Sequence, residues 1–126
     1  MMRKQGVIGN MKYNYRVEFL DIGGHKSFIF RLPDELRVVE TFLNSDIQSD
    51  FMGKKVLDYC TQVLNGQLKE KSFTCNSCST TIKSDYVQII NRYAEKDNVI
   101  SIETLELMSL IEAFVKENKK YTILYS

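Results

Sequence analysis

Nothing in this chain of 126 residues stays apolar for more than a few positions, far short of the roughly 20 that a membrane-spanning helix needs. Its start, MMRKQGVIGNMK, is basic but leads into no apolar stretch and no small-residue cleavage site, so the protein is expected in the cytosol. Three cysteines, an odd number at spacings that suit no disulfide framework, agree with a reducing compartment. The single histidine, His25, lies in GGHK, a turn, with no serine or cysteine nucleophile assignable beside it. A formal net charge of +1 gives no overall basic field that would recruit nucleic acid. DIGG runs into a second strand instead of a helix, which removes the setting of a phosphate cradle. Asp34 and Glu35 read as charge at a helix start, not as an acid–base pair in a cleft. The expectation is therefore a protein that is not an enzyme, with no catalytic residue, no metal and no cofactor.

What is present reads as one α+β domain over 1–126, with disorder expected only at the ends, chiefly in residues 1–11. An apolar content of 44% and a charged content of 26% are ordinary for a chain with a real core. YNYRVEFLDIGGHKSFIFRL alternates with period two, and Gly23-Gly24 supplies the positive φ of a tight turn, so this stretch predicts a hairpin. Pro33 opens a helix with Leu36, Val39, Phe42 and Leu43 at helical spacing. Ser49 or Asp50 caps a second, striped by Phe51, Val56, Tyr59, Cys60, Val63 and Leu64 and ended by Asn65-Gly66; Gly53 weakens its first turn. Residues 69–93 read as extended. Within Asp85 to Tyr93, Val87 and Ile89 suit a strand, the favoured reading, while Tyr86, Ile89, Ile90 and Tyr93 suit a helical stripe. VISI reads as a short strand, and Thr104 as the cap of a last helix carrying Leu105, Met108, Leu110, Ile111, Phe114 and Val115. The tail YTILYS reads as a short strand or a loose end. Runs of strands and helices imply a mostly antiparallel sheet with three helices packed against it.

Cys75 and Cys78 form a C-x-x-C. A structural zinc needs four ligands, and only Cys60, in a helical stripe, and His25 remain to complete such a set. A redox dithiol would sit at a helix start, where the dipole lowers a thiol pKa; this pair flanks Asn76-Ser77, a two-residue turn. A hairpin turn with two half-buried thiols on one sheet face is the favoured reading. An alternative function, a small nucleic-acid-binding or zinc-linked adaptor without catalysis, would use Tyr13, Tyr15 and Phe28 with Arg16 and Lys26 as a stacking sheet, or a zinc shared between chains. Alternating aromatics are more commonly core.

The second half resembles the small immunity proteins encoded beside bacterial polymorphic toxins, including those of contact-dependent growth inhibition. Leu64 to Gly66, Phe73, Asn76, Cys78, Ile82, Lys83 and Asp85 carry the first part of the likeness. Ile102 to Thr104, Glu106, Leu107, Leu110, Ile111 and Lys116 carry the second. Cys75 falls outside the pattern. The resemblance implies a protein that binds and neutralises a cognate toxin domain, commonly a nuclease, in the cytosol, with no membrane and no direct nucleic-acid contact.

Nuclease clefts are basic because they hold phosphates, so their inhibitors gain from carboxylates. From charge alone, Asp34, Glu35, Glu40, Asp46, Asp50 and Asp58 are the expected toxin-binding residues, set against Arg37, Lys54 and Lys55, with Phe51 and Tyr59 as aromatic anchors. The competing reading of that acidic stretch is a pair of solvated helix faces.

Overall fold

Period-two alternation produces the first sheet. In the computed structural model, which describes residues 3–6 and 12–125, β2 (Tyr15–Ile22) and β3 (His25–Arg31) pair antiparallel through a turn at Gly23 and Gly24, with φ of 59° and 82°. Both values lie in the left-handed region that the tight turn requires and that glycine adopts without a Cβ clash. Cross-strand pairs Val17–Phe30 and Phe19–Phe28 put the apolar parity on one face, where Phe28 and Phe30 meet Phe114 at 5.5 and 5.7 Å and Tyr15 stacks on Phe30 at 4.5 Å. These rings form core, so Tyr15 and Phe28 are not presented as a stacking platform. A third strand, β1 (Arg3–Gly6), pairs with β2, placing a strand inside the stretch 1–11 that was expected to be disordered; residues 1, 2 and 7–11 lie outside the described residues.

The second sheet has the order β4 (Lys71–Thr74), β5 (Cys78–Ile82), β6 (Tyr86–Asn91), β7 (Val99–Glu103), all antiparallel. Ile82, Val87, Ile89 and Ile102 are buried on its inner face. The expected α+β class and antiparallel pairing hold, but among the described residues the strands divide into sheets of three and four instead of one. The tail is also different: α3 (Thr104–Tyr125) runs on through the stretch expected as strand or loose end. Thr104 opens that helix, yet its hydroxyl donates to the Lys83 carbonyl at 2.6 Å, tying α3 to the β5–β6 turn. Among the described residues no helix is long and apolar enough to cross a membrane.

Between the sheets in sequence lies a compound helix. A 3-10 turn (Asp34–Leu36) leads into α1 (Arg37–Thr41), which continues as a π-helical segment (Phe42–Ile47). Phe42, Leu43, Asp46 and Ile47 are buried, and Gln48 N–H closes the last wide turn on the Leu43 carbonyl at 3.1 Å. After Ser49, whose side chain accepts from Met52 N–H, α2 (Asp50–Leu64) begins.

The π segment serves both sheets. Asn44 Oδ1 accepts from Phe30 N–H at 3.1 Å and its Nδ2 donates to the Phe30 carbonyl at 3.0 Å, so one amide side chain acts as a further strand residue on the β3 edge. Glu40 accepts from Leu32 N–H at 2.9 Å one step further along the same edge. Side chains that occupy edge groups in this way keep the edge from pairing with another chain. Asn44→Ala removes two hydrogen bonds, and a loss of about 1–2 kcal/mol in urea unfolding is expected, with faster amide exchange at Phe30. Unchanged exchange there would show that the edge is held by other groups.

Candidate functional site

The cysteine pair is a turn clamped from two sides. Cys75 N–H donates to the Cys78 carbonyl at 3.0 Å, closing the two-residue loop Asn76-Ser77. From the π segment, the Asp46 carboxylate accepts from Ser77 N–H at 2.8 Å and from Cys78 N–H at 2.9 Å, while Asn76 Nδ2 donates to the Ser45 carbonyl at 3.0 Å. On the other side Arg92 Nη2 donates to the carbonyls of Cys75 and Asn76 at 2.7 and 2.9 Å. Every one of these bonds uses backbone of the turn or a side chain beside the cysteines, and none needs a thiol.

The thiols are held protonated. Burial, and then the Asp46 charge, push Cys78 up to about 12; burial pushes Cys60 up to about 11, and burial and Asp46 raise Cys75. A thiolate is the nucleophile, so nucleophilic chemistry is disfavoured at these thiols. Among the described residues no group of three or more His, Cys, Asp or Glu side chains is placed to hold a metal ion.

Alkylation at pH 8 should therefore be slow at all three cysteines in the folded protein, with half-buried Cys75 the fastest, and rapid in denaturant. Fast native labelling of Cys78 would contradict the burial. The linkage has a definite sign: the fold binds these protons more tightly than the unfolded chain, so their stabilisation is full below the ordinary value of 9.0 and is lost as pH rises towards 11–12.

The acidic stretch 34–58 does not form one surface. Asp46 is 5% exposed and spent on the turn. Glu40 bonds Leu32 N–H and pairs with Arg31 at 3.4 Å, facing the first sheet. Asp50, in the first turn of α2, is shared between Lys54 at 3.7 Å and Lys119 at 3.6 Å. Asp58 is exposed further along α2 with no ion pair among the described residues, and helical spacing puts Lys54 and Lys55 one turn before it. Phe51, 76% exposed, lies two turns from Asp58 on the same helix face. Tyr59 is half-buried, its ring against Phe73 at 5.6 Å and under the Lys71 ammonium at 4.7 Å.

Asp34 and Glu35 are exposed as well, and the fold gives them company. They line an open cleft of about 450 Å³ together with Arg37, Val38, Asp97, Val99 and Ile100. Asp97 stands in the β6–β7 turn at φ 50°, in the left-handed region that Asp tolerates. Pairing of β7 with β6 carries it across some sixty positions of sequence to Asp34. None of the three carboxylates has an ion-pair partner among the described residues. The cleft thus joins three unpaired acids, one Arg37 and the half-exposed Val99 beside the last strand of a sheet. Compared with protein-family models, with curated proteins and with solved structures, the chain has no match.

Proposed function

We propose that this chain is an immunity protein that binds a cognate toxin domain, a nuclease, in the cytosol and blocks its active site without chemistry of its own. The observation that carries the reading is the cleft of Asp34, Glu35 and Asp97, three carboxylates unpaired within the described residues. Unpaired surface charge of one sign favours a partner of the other, and a phosphate-binding cleft is such a partner. The resemblance of residues 64–116 to immunity proteins supports the same reading. Within the expected binding set, Asp34 and Glu35 keep that role, and Phe51 with Asp58 forms a second, charge-balanced patch. Glu40, Asp46 and Asp50 are engaged within the fold.

Co-expression with the product of the gene directly upstream tests it. A one-to-one complex of nanomolar affinity is expected, with an on-rate on the order of 10⁸ M⁻¹s⁻¹ at low salt falling towards about 10⁶ as salt screens the cleft. Asp34→Asn with Glu35→Gln should slow association more than it speeds dissociation. No complex at micromolar concentrations would reject the reading.

A further inference from the structure

The hydrogen-bond phase of the second sheet is fixed at both ends of the β6–β7 ladder. Asn91 N–H donates to the Asn98 carbonyl at 2.7 Å, and Thr104 N–H donates to the Asp85 carbonyl at 3.0 Å. Bonded pairs alternate along an antiparallel ladder, so Ile89–Ile100 and Val87–Ile102 are the bonded pairs between. Val99 and Ser101 consequently turn their N–H and C=O groups away from β6, towards the free edge. Neither residue has another hydrogen-bond partner among the described residues.

The same reasoning makes Ser72 and Thr74 the outward residues of β4, since Cys75 and Cys78 form a bonded pair. In the first sheet, by contrast, Asn44 and Glu40 occupy the β3 edge. Among the described residues, side chains block the β3 edge and nothing pairs with β7 beside the acidic cleft.

We infer that β7 accepts an added strand: an extended segment of a partner protein, with Lys or Arg on the side facing the cleft and small or β-branched residues on the other. Backbone bonds to Val99 and Ser101 would supply the affinity, and Asp34, Glu35 and Asp97 the selection for basic side chains. On the opposite face the added strand continues the uncharged row Ser72, Thr81, Gln88, Ser101. Self-pairing of β7 in a second copy is disfavoured, because it sets one acidic edge against another. This inference rests on the toxin-binding reading for the partner's identity, and the strand addition is tested apart from it.

The first probe is the peptide acetyl-Lys-Val-Lys-Thr-Lys-Val-Lys-amide, titrated into ¹⁵N-labelled protein. The amides of Val99 and Ser101 should shift and exchange about tenfold more slowly at saturation near ten times Kd, while those of Ser72 and Thr74 stay unchanged. The Lys→Glu version of the peptide should produce no shift. Ser101→Pro should abolish the effect: its N–H points away from β6, so proline removes no ladder bond and the melting temperature should hold. Should that variant unfold, Glu35→Gln with Asp97→Asn provides the second test, with a loss of peptide binding of several-fold.

Absence of shifts at β7, shifts centred on β4, or dimerisation of the protein in place of binding would each overturn the inference. The second probe is the upstream gene product. If it binds the wild type and Ser101→Pro equally, strand addition at β7 is wrong and the immunity reading stands. If it binds neither, the immunity reading falls and the peptide result alone decides the edge.

Discussion

Replacing Asp46 by alanine is expected to remove about 3–5 kcal/mol of folding stability, the largest effect among single changes outside the apolar core. Its carboxylate takes two backbone donors, Ser77 N–H and Cys78 N–H, at 2.8 and 2.9 Å, and is almost wholly buried. Hydrogen bonds to a charged acceptor contribute about 1.5–3 kcal/mol each, and their loss strands donors away from water. Asp46→Asn is the sharper variant. It keeps the shape and one acceptor but aims an NH₂ at a backbone N–H, so it should still cost about 2–3 kcal/mol. Urea unfolding with an unchanged m-value would read this directly. A cost below about 1 kcal/mol for both variants would mean that Arg92, bonded to the carbonyls of Cys75 and Asn76, holds the turn by itself.

The second large effect reverses an ordinary rule. Alanine in place of glycine inside a helix normally stabilises by about 1 kcal/mol. At Gly53, in the first turn of α2, an added Cβ would overlap Cγ2 of Val115 on α3 and touch Ile111 and Ile47. Val115 is β-branched and stiff at χ1 within its helix, so it has no easy alternative rotamer. Overpacking costs about 1–3 kcal/mol, and Gly53→Ala should destabilise by that amount. In the background Val115→Ala the overlap is gone, and the same substitution should become neutral or stabilising. Additive effects of the two changes would contradict close packing of α2 on α3.

Glycine at 53 first reads as a defect in a helix. Its reason is tertiary, and the same separation divides what local pattern revealed from what it concealed. The β2–β3 hairpin was legible because alternation and Gly23-Gly24 are both short-range signals. So was α2, whose Ser49 start and Asn65-Gly66 end lie within one window; of its expected stripe Val56, Cys60 and Val63 are buried, while Phe51 and Leu64 at the two ends are exposed. The π segment escaped because Phe42, Leu43 and Ile47 recur closely enough to helical spacing to hide a wider turn.

Strand β1 has no alternation of its own and exists through pairing with β2. The last residues of α3 carry strand-forming types, yet they extend a helix already nucleated and packed upstream. Asp46 read as surface charge, since nothing local says that a carboxylate will find two donors more than thirty positions away. The cleft was half legible. Asp34 and Glu35 could be read from the chain, whereas Asp97 joins them only through the β6–β7 register, and the open edge follows from hydrogen-bond phase, which no residue type signals.

The most direct test of the central claim is a titration of the purified upstream gene product, assayed for nuclease activity, with this protein. The account predicts that activity falls linearly and vanishes at one molar equivalent. Full activity in the presence of an excess of the folded protein would contradict it.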